Sequence, residues 1–400
     1  MSQIHRQMLQ KALGLHQQGQ VAAAIQQYNA VLALDPGNFD ALQLKGLALY
    51  QTGDAKGAVE LLGRAIRKND RMASVFNNRG LAQQALGQRR EALQDFTRAV
   101  SLQPNYAEAL ANKANVLREL GQLREAEAAC TAAIRLSPQV PQLHNILGMI
   151  RKEQQNWPAA LELFDRAVKL NPRHLEALVN RANALVELKR PEEALASYAQ
   201  ALALQPGNAQ VHGNLGNALS DLERLDEALA SHDRAVALAP AAAEAHANRA
   251  GVLRKLARFE EALAACDRAL ALNPAHVEAQ VNRGGILRDM GRLEAALAAH
   301  DAALALRPGH AEALAGRARV LRDLRRSDEA LADCDRSLAL KPEQPEVRLI
   351  RSAILRDQMR LAEAAAEGAA YLRLAAGGDT AAQALAENWA KLLTVEQVPA

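Results

Sequence analysis

Cysteine and histidine are the residue types of this chain whose side chains could hold a metal ion or form a disulfide. The 400 residues include three cysteines, Cys130, Cys266 and Cys334. Histidines alternate with the last two at a constant interval of 34 residues, in the order His232, Cys266, His300, Cys334. Zinc prefers cysteine and histidine ligands, so this row is a candidate metal site.

The interval of 34 residues organises the whole sequence and argues against both kinds of chemistry. Counted in units of 34 from His5, the three cysteines and these two histidines all occupy position 24. Packed helices lie about 9 to 10 Å apart, so Cys266 and Cys334, two units apart, are beyond disulfide reach. Ligands that share one zinc ion lie about 2.0 to 2.3 Å from it, and side chains anchored one unit apart converge poorly. We interpret position 24 as a packing position and predict no metal and no cofactor.

Each 34-residue unit has the pattern of two helices. Apolar and small residues recur at helical spacing, as in Ala250, Leu253, Ala262 and Ala265 of the unit that begins at Ala243. Position 20 is alanine in all eleven units, and position 8 is always small. Glycine at position 15 in several units can take the left-handed conformation that closes a helix: Gly87, Gly121 and Gly291. Proline at position 32 would end the second helix.

Small residues at position 8, alanine at 20, an aromatic residue at 24 and proline at 32 resemble the tetratricopeptide repeat, a helical repeat with this period. The resemblance implies an all-α, right-handed superhelical solenoid of about eleven repeats. We expect a leader over residues 1–4, eleven repeats over 5–378 that form one elongated domain, and a capping helix and tail over 379–400. The second and eleventh repeats depart from the pattern, since Asp70 and Ala376 replace the proline.

Composition argues against several classes of function. A net charge of +3 with only 3% aromatic residues lacks the clustered positive charge and stacking rings of nucleic-acid binding. No run of about 20 apolar residues predicts a membrane span, and the first twenty residues lack the apolar core of a signal peptide, so we expect a cytoplasmic protein. Phosphate-binding loops, metalloprotease motifs and nucleophile elbows are missing from the sequence, and we predict that the chain is not an enzyme.

The predicted concave face carries a row of asparagines. At 100° per residue, positions 2, 6, 9 and 13 share the side of the first helix that faces away from its partner. Six of the eleven residues at position 6 are asparagine, and three at position 9 are asparagine as well. The two sets are Asn78, Asn112, Asn180, Asn214, Asn248 and Asn282 at position 6, and Asn115, Asn183 and Asn217 at position 9.

These asparagines are the candidate binding residues. An asparagine amide has donors and an acceptor, so it can bond the N–H and the C=O of a passing peptide backbone. Repeats about 9 to 10 Å apart match three residues of extended chain at about 3.3 Å each. The interpretation is a scaffold or adaptor that holds an extended segment of an unidentified protein. The alternative is that asparagine is a common solvated residue multiplied by repeat duplication.

The pairs Asn180 with Asn183 and Asn214 with Asn217 are similar to the asparagine ladder in the repeat arms of O-GlcNAc transferases. That resemblance implies a second function, a substrate-recruiting arm of such a glycosyltransferase or a partner to one. Charge on the face is mixed, because arginine or lysine at position 12 neighbours aspartate or glutamate at position 13 in many repeats. We expect these rows to pair between repeats, with a few tenths of a kcal/mol for each exposed pair.

Overall fold

The computed structural model describes residues 3–375, and this part of the chain contains twenty-two α-helices and no strand. The helices divide between two units, Met1–Leu204 and Gln205–Ala400. The predicted capping helix at 379–400 lies outside the described residues. The single elongated domain stays a prediction.

The first unit consists of twelve helices, which pack as six consecutive pairs. They are α1 (Gln3–Gln17), α2 (Val21–Leu34), α3 (Phe39–Gln51), α4 (Ala55–Lys68), α5 (Ala73–Ala85), α6 (Arg89–Leu102), α7 (Ala107–Glu119), α8 (Leu123–Leu136), α9 (Pro141–Glu153), α10 (Trp157–Leu170), α11 (Leu175–Glu187) and α12 (Pro191–Leu204).

The second unit has ten helices over its described residues, which pack as five pairs. They are α13 (Ala209–Asp221), α14 (Leu225–Leu238), α15 (Ala243–Lys255), α16 (Phe259–Leu272), α17 (Val277–Asp289), α18 (Leu293–Leu306), α19 (Ala311–Asp323), α20 (Ser327–Leu340), α21 (Pro345–Asp357) and α22 (Leu361–Ala375). The eleven pairs in residues 3–375 agree with the predicted repeat count.

The turn inside each pair has the same left-handed residue. Position 15 has a positive φ in all eleven described pairs, and five of these residues are glycines. The amide of position 16 then donates to the carbonyl of position 11, as Gln122 does to Leu117 at 2.9 Å, which satisfies a free carbonyl at the helix end. The predicted break is confirmed, but glycine is not required there. Six repeats place another residue at a φ of 56 to 61°: Gln155, Lys189, Glu223, Ala257, Arg325 and Met359.

The core of a repeat forms where position 24 of the second helix packs on position 8 of the first. A Cβ atom built on Gly80 would lie 2.7 Å from the Phe96 ring, and one on Gly148 would lie 2.5 Å from the Phe164 ring. Both rings are fully buried. Burial of such a ring contributes about 1.5 to 3 kcal/mol, and the small residue opposite is what makes room for it.

The turns between repeats are held by side chains at positions 34 and 4. His174, His276 and His310 accept the amide N–H three residues later through Nδ1, at 3.1 to 3.3 Å, which caps the next helix. At position 4, Nε2 of His144 donates to the carbonyl of Pro138 at 2.9 Å, and Nε2 of His246 donates to that of Pro240 at 3.0 Å; both prolines are at position 32 of the preceding repeat. These histidines therefore have structural roles. The second helix ends at position 30 even in the second repeat, where α4 has no proline after it.

Candidate peptide-binding groove

The first helices line the inner side of each unit. Within a unit, the first helix of a repeat contacts the first helix of the next repeat, for example α15 with α17 and α17 with α19. The second helices of neighbouring repeats make no such contact in the described part of the chain. The first helices of neighbouring repeats are therefore closer together than the second helices. The side of each first helix that faces away from its partner helix lines a groove in each unit.

In the first unit, two of the position-6 asparagines bond to the preceding repeat. Nδ2 of Asn112 donates to Oδ1 of Asn77 at 2.9 Å, and Nδ2 of Asn180 donates to Oδ1 of Asn145 at 3.0 Å. Both acceptors are at position 5. One amide hydrogen of Asn112 and one of Asn180 thus join adjacent first helices. Their second hydrogens and carbonyl oxygens take part in no further hydrogen bond among residues 3–375.

In the second unit, Asn282 makes the equivalent bond to the main chain, because position 5 of the preceding repeat is alanine. Its Nδ2 donates to the carbonyl of Ala247 at 3.0 Å. Asn248 has no hydrogen-bond partner in the described residues. Asn78, Asn214 and Asn248 are partly buried like the other position-6 asparagines, which places the amides on the floor of the groove and not on its rim.

The position-9 asparagines differ from one another. Asn115 donates to Glu119 at 3.3 Å and accepts from Arg118 at 3.0 Å. Asn183 accepts from the Tyr198 hydroxyl at 2.6 Å. Asn217 is exposed. Two of the three therefore already have protein partners, and Asn217 is the most accessible to a ligand.

A cavity of about 560 Å³ lies in the groove of the second unit. Asn217, Asn248 and Asn282 line it, together with the charged Asp221 and Arg254. A neighbouring cavity of about 310 Å³ includes Asn214 and Asn248. The asparagines of this unit that the sequence places in a row therefore lie along one continuous stretch of its surface.

Positions 12 and 13 pair between repeats, which confirms the predicted charge ladder. In each pair, an arginine at position 12 contacts a carboxylate at position 13 of the next repeat, at 2.5 to 2.8 Å. The pairs are Arg118–Glu153, Arg254–Asp289, Arg288–Asp323 and Arg322–Asp357. We call this set the groove ladder.

A second ladder, which sequence reasoning missed, joins the first helix of a repeat to the second helices beside it. Arginine at position 7 pairs with aspartate at position 25 of the preceding repeat, at 2.5 to 2.9 Å. The pairs are Arg181–Asp165, Arg249–Asp233, Arg283–Asp267, Arg317–Asp301 and Arg351–Asp335. The signal was present in the sequence as two rows of opposite charge with a constant separation of 16 residues.

The cysteines and histidines at position 24 are buried in the repeat cores. Cys130, Cys266 and Cys334 are free and fully buried. Burial raises the pKa of each thiol to about 12, so they remain protonated at neutral pH and are poor metal ligands or nucleophiles. Within the described range, no group of three or more histidine, cysteine, aspartate or glutamate side chains is arranged to hold a metal.

Replacing Cys266 with alanine should lower the free energy of unfolding by about 1 to 2 kcal/mol, since it removes a fully buried sulfur. Urea titration followed by far-UV circular dichroism measures this change. Atomic absorption on the purified wild-type and variant proteins should give the same metal content. Stoichiometric zinc that disappears with Cys266→Ala would contradict the packing role.

The helix pairs with a shared left-handed turn and a small-residue core define an all-α helical-repeat protein. A family model described as Tetratricopeptide repeat matches residues 77–141, 147–209, 252–311, 281–345 and 315–379. Another with this description matches residues 185–251, and one described as TPR repeat matches residues 14–53. These matches extend over more than half of the sequence. The chain belongs to the tetratricopeptide repeat family.

Solved structures support the same fold. Yeast Tom70 is 17% identical, with 98% of this chain and 96% of that chain covered and a TM-score of 0.51. The APC/C hetero-tetramer Cut9–Hcn1 is 14% identical, with 86% and 95% covered and a TM-score of 0.50. A tetratricopeptide repeat protein from Parabacteroides merdae is 16% identical, with 60% and 94% covered and a TM-score of 0.50. At these identities the similarity shows the fold alone.

No curated protein matches the chain in sequence. Over residues 3–375, none of the helices has both the length and the apolar character needed to cross a bilayer. Tetratricopeptide repeat proteins typically act as protein-interaction scaffolds.

Proposed function

We propose that this protein is an interaction scaffold that binds an extended protein segment in the groove of its second unit. The observation that carries the proposal is the cavity of about 560 Å³ lined by Asn217, Asn248 and Asn282. Its volume lies within the range of about 300 to 1,000 Å³ found for ligand sites, and its asparagines supply both donors and acceptors for a peptide backbone. A non-catalytic role and a cytoplasmic location are parts of the same proposal.

The amides fit a main-chain ligand better than a side-chain ligand. First helices about 9 to 10 Å apart repeat the amide once for every three residues of an extended strand. Asn282 keeps one N–H and its carbonyl oxygen after donating to Ala247, which is enough for the C=O and N–H of one peptide unit. The groove ladder occupies the neighbouring stripe, so the charges there are largely neutralised within the protein.

Changing Asn214, Asn248 and Asn282 together to alanine should weaken partner binding at least tenfold. The three amides offer up to six hydrogen bonds, and each contributes about 0.5 to 1.5 kcal/mol net, so the loss of three, even at the lower figure, exceeds the roughly 1.4 kcal/mol of a tenfold change. The partner is first isolated by affinity capture from the native host, and mass spectrometry defines the bound segment. Calorimetry with that segment as a synthetic peptide then compares the Kd values of wild type and variant.

The matched control changes Arg234 and Arg268 to alanine, because both are exposed on second helices and make no ion pair in the described part of the chain. It should bind like wild type. Circular dichroism verifies the fold of the triple variant, since Asn282→Ala also removes the bond to Ala247 at a cost of about 1 kcal/mol. Unchanged affinity of a folded triple variant would refute the groove as the binding surface.

The rival function, an arm or partner of an O-GlcNAc-transferase-like enzyme, rests on the asparagine pairs Asn180 with Asn183 and Asn214 with Asn217. The same affinity capture separates the two functions. A glycosyltransferase among the bound proteins, with sugar transfer to the captured segment, would favour the rival. A bound segment without such an enzyme favours the scaffold.

A further inference from the structure

Arg319 breaks the charge pattern of the groove in the second unit. The arginines of the groove ladder there each pair with the aspartate of the next repeat, at 2.6 to 2.8 Å. Arg319 lies on the same stripe, at position 9 of α19, and is partly buried. It has no ion pair and no hydrogen bond among residues 3–375. A guanidinium offers five donors in a planar fork, so this side chain leaves an unusual number of donors unused.

Comparison with the neighbouring repeat shows what the arginine changes. Position 9 of the preceding repeat is Gly285, and a Cβ atom built there would lie 2.3 Å from Nη1 of Arg254. The Arg254 side chain thus lies flat over a glycine. One repeat later, the equivalent two residues are Arg288 and Arg319. Two cations therefore lie where the earlier pair has one arginine and a glycine. Position 6 changes as well, since Gly316 replaces the asparagine of the row.

Arg319 lies among charges of both signs, and its arginine neighbours are already paired. Burial, followed by the charges of Arg288 and Arg254, lowers the pKa of Arg319, while Glu346 and Asp289 act in the opposite direction. Arg254 pairs with Asp289 and Arg288 pairs with Asp323, each at 2.6 Å. A partly desolvated cation that lacks a paired anion is unfavourable, and planar guanidinium groups bind carboxylates through two parallel hydrogen bonds.

We propose that Arg319, with Arg288 beside it, forms a binding site for a carboxylate of the segment held in this groove. The inference rests on the proposed function and deepens it, because it states the chemistry of the partner: an extended segment with an acidic side chain next to the part that the asparagines hold. Asn282 and Arg319 belong to consecutive repeats, so their ligands lie about three residues apart along an extended chain.

A peptide carboxylate fits this site better than a nucleic-acid phosphate. Position 2 of the same groove is glutamate in each of these repeats, at Glu244, Glu278, Glu312 and Glu346. A continuous row of phosphates would run past these carboxylates and be repelled by them, whereas a single acidic side chain need only meet the arginines. The chain also has few aromatic residues for base stacking.

The test uses the full chain and a defined probe, a fluorescein-labelled, C-terminally amidated octapeptide of seven glutamines with one central glutamate (the Glu peptide), with octaglutamine as the uncharged comparison. The variant is Arg319→Asn, because asparagine is native at position 9 in three other repeats. The control is Arg268→Asn, the same chemical change at an exposed site on α16. Fluorescence anisotropy should show that Arg319→Asn weakens binding of the Glu peptide about tenfold or more, as expected for a lost charge-assisted pair. Arg268→Asn should stay within about twofold.

Thermal stability supplies a second readout that a purely structural role would not give. Without peptide, Arg319→Asn should raise Tm by about 1 to 3 °C, because the variant removes a partly buried cation that has no ion pair in the described part of the chain. The Glu peptide should raise the Tm of the wild type and much less that of the variant.

Equal affinity of Arg319→Asn and wild type for the Glu peptide overturns the proposal, as does a Glu peptide that binds no tighter than octaglutamine. If Arg319→Asn and Arg268→Asn weaken peptide binding equally, the binding depends on net charge, and the proposal is also overturned. This failure can be distinguished from failure of the proposed function. If only the carboxylate site is wrong, the triple alanine variant of Asn214, Asn248 and Asn282 still loses the captured partner. If the proposed function is wrong, that triple variant keeps the partner.

Discussion

Replacing Arg317 with alanine is expected to lower the free energy of unfolding by about 3 kcal/mol. Its guanidinium contacts both carboxylate oxygens of Asp333 at 2.6 and 2.8 Å and Asp301 at 2.6 Å. The Asp333 side chain is only 4% exposed. Truncation of the arginine leaves a buried carboxylate whose one remaining ion-pair partner among the described residues is Arg336, at 3.5 Å. Urea titration at pH 7, followed by far-UV circular dichroism, measures the change.

The matched control is Arg283→Ala, one repeat earlier at the same position. Within the part of the chain that the structure describes, Arg283 has one ion-pair partner, Asp267 at 2.9 Å, and the Asp267 side chain is 55% exposed. An exposed pair contributes about 0 to 1 kcal/mol, so this variant should lose less than 1 kcal/mol. A similar loss in both variants would show that burial of Asp333 does not decide the effect.

The helix pairs were predictable because they depend on local rules repeated eleven times. Alternation of small and large residues at positions 8, 20 and 24 fixes which faces meet, and the structure pairs Gly80 with Phe96 as this pattern requires. The position of the turn was predictable from Gly87 and Gly121. That Ala257 takes the same left-handed conformation was not, since the hydrogen bonds of the helix end compensate a local strain of about 1 kcal/mol or more.

Bonds between repeats were predictable only where charge made them obvious. The groove ladder follows from two neighbouring rows of opposite sign. The bond from Asn112 to Asn77 does not, because it joins residues 35 positions apart through particular side-chain conformations. The site is affected in the same way: sequence placed the asparagines on one face, but it did not show that Asn112 and Asn282 already use one amide hydrogen within the protein. The sequence could not identify Arg319 as an unusual residue either, because it does not show that the neighbouring arginines are ion-paired and Arg319 is not.

Replacing His300 and His232 with phenylalanine should stabilise the protein and remove much of its sensitivity to acid. Both side chains occupy position 24 and are at most 1% exposed. No ring nitrogen of either has a hydrogen-bond partner in the described part of the chain. A buried polar group without a partner costs about 1 to 3 kcal/mol. Phe164 shows that a phenyl ring fits this slot, since its contact with Gly148 matches that of His300 with Gly284.

The pH dependence follows from the pKa values. Burial lowers the pKa of His232 and of His300 to about 4, from an ordinary 6.5. The charge of Asp233 opposes the shift at His232; near His300, Arg254, Arg317 and Arg319 add to it while Asp301 opposes it. Between pH 6.5 and about 4 the unfolded chain binds protons that the folded chain does not. Stability is therefore fully present above pH 6.5 and falls through this window, by about 3 kcal/mol for each histidine.

Thermal melts at pH 7.0 and 4.5 test this prediction. The drop in Tm between the two pH values should be smaller in His232→Phe/His300→Phe than in wild type. The reciprocal variant Phe164→His places an imidazole in the same slot of the first unit, and it should lower Tm at pH 7.0 and enlarge the drop at 4.5. If the double variant loses as much Tm on acidification as wild type, the buried imidazoles do not set the acid sensitivity.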